Sequence, residues 1–191
     1  MKCSWKEKER VTQATSLTGS GKPWSMLALR KQMKVRTLTI TALLMAMVTI
    51  VTMYIAFPIF QGYLNLGDVM VMGMAVLLPL PLTPLAGVAS MLADLLLGYG
   101  VYAPFTLVIK ALEALLIGLW VHNHKNKTVP FYVYLAGGLW MALAYGLTDV
   151  ILADNLGVFF LSFGYNALQG IVCALIAFPL FRKLRVFRDK I

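Results

Sequence analysis

Inside otherwise apolar stretches the chain carries Asp68, Asp94, Lys110, Glu113 and Asp149, with Asp154 close behind. An ionisable group facing hydrocarbon costs several kcal/mol, so such residues turn into a bundle interior, where they pair or line a cavity. Lys110 and Glu113 stand three apart, a spacing that lets them pair on one helix face. Tyr145, Thr148, Tyr165, Asn166 and Gln169 add polar groups further along. Amides present donor and acceptor together, which suits the edge of a heterocycle, and a phenol ring stacks on a planar one. Two chemistries are therefore open: ion pairs and interhelical hydrogen bonds that only brace the bundle, or a polar pocket for a polar solute. Convergence favours the pocket, because all six ionisable residues map to one half of the apolar stretches.

The elements that must position these groups are apolar helices. Of the 191 residues 60% are hydrophobic and only 13% charged, a composition that belongs in a bilayer. A spanning helix needs about 20 mostly apolar residues, and Pro, Gly and charge bound six candidate runs. They are Thr37–Phe57, Asp68–Leu78, Thr83–Leu97, Pro104–Val121, Phe131–Leu152 and Leu156–Phe181. The expected fold is an all-α integral membrane protein of six transmembrane helices. The second and third runs are short for a crossing, so they are expected to recruit flanking residues or thin the bilayer. A hairpin that enters and leaves on one side is the alternative. Lys110 then lies about 9 Å below the Pro104 end and Glu113 roughly 13 Å below it, at a rise of 1.5 Å per residue.

Charge orients the bundle. The formal net charge is +9, and of the 17 Lys and Arg nine lie between Lys2 and Arg36, five between Arg182 and Lys190, and two at Lys125 and Lys127. With both termini cytoplasmic, six crossings put all three basic segments inside, whereas a nucleic-acid face would spread the charge over a soluble surface. Residues 1–32 lack apolar periodicity and read as a disordered or extra leader, with Met33 as an alternative start; residues 33–191 form the transmembrane domain. The outer loops hold Gln61, Gly62, Tyr63 and Asn65, then Tyr99 and Tyr102, then Asp154 and Asn155. Glycine, aromatic and amide residues together suit a lid, and they equally suit an interfacial aromatic belt.

Other chemistries find no support. His122 and His124 stand in a basic stretch without a nearby carboxylate or Cys, so no metal site is expected, and Cys3 and Cys173 offer no disulfide framework. No phosphate-binding Gly-Lys-Ser/Thr loop, nucleophile elbow or internal repeat is recognisable, so no catalytic residue is assigned. Small residues at Ala42 and Ala46 flatten one face of the first helix, a device for close helix docking in lipid.

These residues resemble a family. The Ala42-x-x-x-Ala46 pair, Asn65-Leu-Gly-Asp68, Leu85-Ala-Gly87, Ser90-x-x-Ala-Asp94-Leu-Leu-x-Gly98-Tyr, Tyr102-Ala-Pro-Phe-Thr106 and Lys110-x-x-Glu113 are similar to substrate-binding S components of energy-coupling factor (ECF) vitamin transporters. The likeness runs from about Met33 to Arg188 and is greatest for the hydroxymethylpyrimidine and pyridoxine branch; riboflavin, pantothenate and folate members stay open.

The resemblance implies a multi-pass protein of a prokaryotic cell membrane that binds a vitamin from outside. It implies delivery to one transmembrane coupling subunit and two ATPases, with ATP and Mg used in those partners and no cofactor in this chain. It implies that Ala42 and Ala46 contact the coupling subunit and that Gln61, Gly62 and Tyr63 belong to a gate. Asn65, Asp94, Lys110, Glu113, Tyr145, Asp149, Asn166 and Gln169 are the expected substrate-binding residues. A small integral-membrane enzyme using the carboxylates as acid and base, or a scaffold subunit, are the readings from other classes.

Overall fold

A computed structural model describes residues 24–59, 62–124 and 128–184. The chain divides into two units, Met1–Thr39 and Ile40–Ile191. In the first, the Thr39 hydroxyl donates to the Val35 carbonyl at 3.0 Å, an ordinary bond one helical turn back. Helix α1 is Trp24–Tyr54, so it begins well before the expected Thr37 and takes in the end of the supposed leader. Residues 1–23, and the loop lysines Lys125 and Lys127, lie outside the described residues.

The second unit follows the order expected of the apolar runs, with one departure from an all-α fold. Strands β1 (Ala56–Pro58) and β2 (Tyr63–Asn65) pair antiparallel, with Ala56 opposite Asn65 and Pro58 opposite Tyr63. The expected helix to Phe57 therefore stops at Tyr54. Proline disfavours helical geometry in the residue before it, and at the end of an edge strand its missing N–H costs the ladder nothing. Gly62, at φ 91°, supplies the left-handed residue that turns the chain back, and its carbonyl accepts from Ile59 N at 3.1 Å.

Five further helices follow among the described residues: α2 (Gly67–Leu77), α3 (Leu85–Leu97), α4 (Ala103–Asn123), α5 (Phe131–Ala153) and α6 (Val158–Leu184). Among the described residues five segments are long and apolar enough to cross a membrane: Val35–Tyr54, Leu80–Leu97, Ala103–Asn123, Phe131–Ala153 and Val158–Arg182. Leu80–Leu97 becomes long enough because the 3-10 turn Leu80–Leu82 precedes α3. Helix α2 is the exception. Its 11 residues rise about 16 Å, half of a hydrocarbon core, and every residue from Gly67 to Val76 is buried. A helix apolar on all sides belongs inside a bundle, so α2 is enclosed by its neighbours.

The core sits around α2. Val71, Met72, Met74 and Val76 pack with Ile117 and Val121 of α4, Tyr134 of α5, and Ala174, Ala177 and Phe181 of α6. Helices α5 and α6 approach most closely at Gly138 and Gly170. A Cβ on either would stand 2.8 Å from the other's Cα, so backbone packs on backbone there without side chains. Because the helices alternate in direction, α1, α3 and α5 end where α2, α4 and α6 begin, and that shared end carries the polar residues.

Candidate functional site

Three polar clusters meet at that end, around a pocket of about 550 Å³, part of it open to solvent. The first lies at its floor. Asp68, in the first turn of α2, accepts from Lys110 Nζ of α4 at Oδ1 and from Gln169 Nε2 of α6 at Oδ2, the latter at 2.7 Å. Lys110 also donates to Glu113 Oε2 at 3.2 Å, the pairing expected of the i, i+3 spacing. Its principal partner is nevertheless Asp68, from a different helix. Lys110 Nζ lies 5.6 Å from the centre of the Tyr145 ring, which adds a cation–π contact. Gln169 is spanned from both sides, because its Oε1 accepts from Asn65 N at 2.7 Å. Its amide orientation is thus set by an N–H on one side and a carboxylate on the other.

The second cluster forms one wall. Asp149, near the end of α5, accepts from the Tyr102 hydroxyl at 2.7 Å through Oδ1 and from the Ser162 hydroxyl through Oδ2. Asn166 Nδ2 donates to the Ser162 carbonyl at 2.9 Å, tying the first turns of α6 into the same group. The third cluster lines the same pocket. Tyr63 of β2 donates to Asp94 Oδ1 of α3 at 2.5 Å, while Asp94 Oδ2 is buried without a hydrogen-bond partner. Thr106 and Tyr145 share a hydroxyl hydrogen bond at 2.8 Å across the space between.

The hairpin closes over these groups. The Tyr63 ring packs on Tyr99 with centroids 4.8 Å apart, and the Tyr99 hydroxyl reaches the Gly62 carbonyl at 3.5 Å. Asn65 roots the strand through Gln169 and through its own Oδ1, which accepts from Gly67 N at 2.8 Å. Both outer phenols are held protonated. Burial raises the Tyr63 pKa, reinforced by the Asp94 charge, and burial with the Asp149 hydrogen bond raises that of Tyr102.

Of the expected substrate-binding residues, Asn65, Asp94, Lys110, Tyr145, Asp149, Asn166 and Gln169 line the pocket together. Glu113 does not; it is fully buried beneath Lys110, with Oε1 also unpartnered. Gly62 and Tyr63 are on the pocket wall, whereas Gln61 lies outside the described residues. Sequence reasoning missed the roles of Asp68, Ser162 and Thr106. Asp68 carried a signal, an acid opening an apolar helix, but its partners are 42 and 101 residues away. Tyr165 and Thr148 stay off the wall, with Thr148 spent on the Ala144 carbonyl at 2.9 Å. Asp154 is exposed and caps α5 in a left-handed conformation, φ 48°. His124 stacks on Trp120 at 4.4 Å, a packing role, and among the described residues no group of three His, Cys, Asp or Glu could hold a metal.

Ala42 and Ala46 are both exposed on α1, on a face turned away from buried Thr41, Leu44 and Val48. Spanning helices, with a polar pocket at one end and a hairpin across it, define a multi-pass membrane protein. A family model described as "ECF-type riboflavin transporter, S component" matches residues 32–186. The chain belongs to this family. It is therefore a vitamin-binding specificity subunit of an ECF transporter, not an enzyme, and it partners an ECF module of membrane and ATPase subunits. A protein of Pyrococcus woesei described as "Uncharacterized protein in gap 3'region" is 43% identical over 101 residues, covering 51% of this chain and 68% of that one.

Proposed function

We propose that the pocket captures a small, hydrogen-bonding heterocyclic vitamin or precursor, best matched by hydroxymethylpyrimidine or pyridoxine, for delivery through the ECF module. The observation that carries this reading is the wall itself. Among the described residues the wall combines hydroxyls, carboxylates and amides with the rings of Tyr63, Tyr99, Tyr102 and Tyr145 and the side chain of Ile59, so polar and apolar surface are about evenly matched. Binding sites are normally mostly apolar with a few polar groups, so this more polar one suits a small planar ring that carries several donors and acceptors. A pyrimidine or pyridine alcohol is such a ring. A flavin, with its broad apolar ring faces, is the second reading, favoured by the printed description of the matching family.

In this reading Asn65, Asp94, Lys110, Tyr145, Asp149, Asn166 and Gln169 hold or order the solute, and Glu113 acts from below by fixing Lys110. Gln61, Gly62 and Tyr63 form the gate. Ala42 and Ala46 dock the coupling subunit, which works with two ATPases that use ATP and Mg. In this reading the protein sits in a prokaryotic cell membrane, and its basic ends favour cytoplasmic termini and a pocket that opens outward.

Mass spectrometry of small molecules released from the purified protein, with equilibrium binding of 4-amino-5-hydroxymethyl-2-methylpyrimidine, pyridoxine and riboflavin, tests the substrate. Retention of a pyrimidine or pyridine alcohol is expected; retention of flavin alone would replace the first reading with the second. Ala46→Trp should abolish uptake in cells carrying the whole transporter while leaving solute binding intact. Loss of binding with an assembled transporter would remove Ala46 from the docking face.

A further inference from the structure

Four carboxylates lie in or beneath the pocket, and their hydrogen bonds separate them. Asp68 and Asp149 have both oxygens engaged by side-chain donors. Glu113 has an unpartnered oxygen but stands off the wall. Asp94 is on the wall and only 4% exposed; its Oδ1 is taken by Tyr63, and its Oδ2 is buried with no donor. The Thr106 hydroxyl interacts with this carboxylate, but it is shared with the Tyr145 hydroxyl at 2.8 Å and does not complete Oδ2. A buried acceptor left unmade is unfavourable, so Oδ2 is a place where an incoming N–H or O–H gains more than it would elsewhere on the wall.

We infer that Asp94 couples occupancy of the pocket to closure of the β1–β2 hairpin: Oδ2 takes a donor from the solute while Oδ1 holds the Tyr63 hydroxyl. This rests on the reading of the pocket as a solute site and adds which solutes it selects and how it retains them. Tyr63 fixes the carboxylate in the orientation the solute needs. By linkage, a solute bound at Oδ2 fixes the acceptor that Tyr63 needs, so each favours the other. The hairpin is built for this asymmetry. Its Asn65 end is rooted in Gln169 and the turn into α2, whereas its Tyr63 end is held to α3 by the Asp94 bond and packing on Tyr99. The selected class is a heterocycle bearing an exocyclic amine, a ring N–H or a hydroxyl, directed at one carboxylate oxygen.

The test uses the full-length protein in nanodiscs and whichever of the three vitamin probes binds it. Each probe is paired with its analogue lacking one donor: the 4-deamino pyrimidine, 4-deoxypyridoxine or N3-methylriboflavin. The parent should bind about tenfold or more tightly than the analogue, and Asp94→Asn should erase most of that difference. Tyr63→Phe should speed dissociation of the parent about five- to tenfold, yet barely change that of the analogue. The analogue arm needs no change at Asp94, so it stands even where Asp94→Asn fails to fold. Equal acceleration of parent and analogue by Tyr63→Phe, or full discrimination retained in Asp94→Asn, would overturn the coupling while leaving the receptor reading intact. Binding of none of the probes, with no small molecule retained from cells, would overturn both.

Discussion

Asp149 and Asp94 line one pocket, yet their surroundings differ in a way that sorts structural from receptive carboxylates. Asp149 draws donors from two helices' worth of sequence, Tyr102 just before α4 and Ser162 in α6, and has nothing left to offer. Asp94 has one donor, from the hairpin, and one idle oxygen. Asp68 sides with Asp149, since Lys110 and Gln169 occupy both of its oxygens. Burial alone therefore says little about role. What distinguishes a site from a brace is an acceptor whose partner must come from outside the chain.

The largest effect should come from breaking the brace at the floor. Lys110→Met leaves Asp68 and Glu113 as neighbouring buried carboxylates without their cation, and removing one partner of a buried pair costs about 3–5 kcal/mol. Loss of the folded, monodisperse protein in detergent at ordinary temperatures is the expected result. Wild-type thermal stability in Lys110→Met would show that this cluster is no brace, and that Asp68 belongs with Asp94.

Next comes the contrast within the pair. Asp149→Asn should lower stability by about 1–3 kcal/mol by removing one of the two acceptors and the charge that strengthens the other bond, while leaving the ratio of affinities for donor-bearing and donor-lacking solutes unchanged. Asp94→Asn should do the reverse, with little loss in thermal stability of the empty protein because a buried charge goes while an oxygen that can accept from Tyr63 stays. Thermal melts of both variants, with and without solute, measure it. Equal destabilisation by the two would erase the distinction.

Much of this was legible in the chain before any coordinates. The apolar runs, the lysine–glutamate pairing at Lys110 and Glu113, and the gathering of polar residues at one end all follow from local spacing. Three features did not. Helix α2 has the composition of a short span, and only its enclosure by α4 and α6 shows how so short a helix is accommodated in the bundle. The hairpin reads as loop in the sequence because its strands are three residues each, too short for an alternating pattern. The partition of the carboxylates depends on contacts such as Gln169 to Asp68, 101 residues apart, which no periodicity encodes. Glu113 was placed with the solute because it shares a helix face with Lys110, but three residues of rise carry it below the wall.

The smallest expected effect concerns pH, and it sharpens the comparison because both phenols respond with the same sign. Burial first, then the neighbouring carboxylate, raises the pKa of Tyr63 beside Asp94, and burial with the hydrogen bond to Asp149 does so for Tyr102. A folded-state value above the free one means the phenol's contribution is fully present below the free value of about 10 and is lost only at higher pH. Between about pH 7 and 9.5, the ratio of solute dissociation rates in Tyr63→Phe and wild type should therefore stay flat, as should the stability gap between Tyr102→Phe and wild type. A Tyr63 ratio that shrinks as pH rises through this window would mean the phenol ionises near its free value, which a hydroxyl buried against Asp94 cannot do. The hairpin would then stand open in solution, and Asp94 would meet water where Asp149 does not.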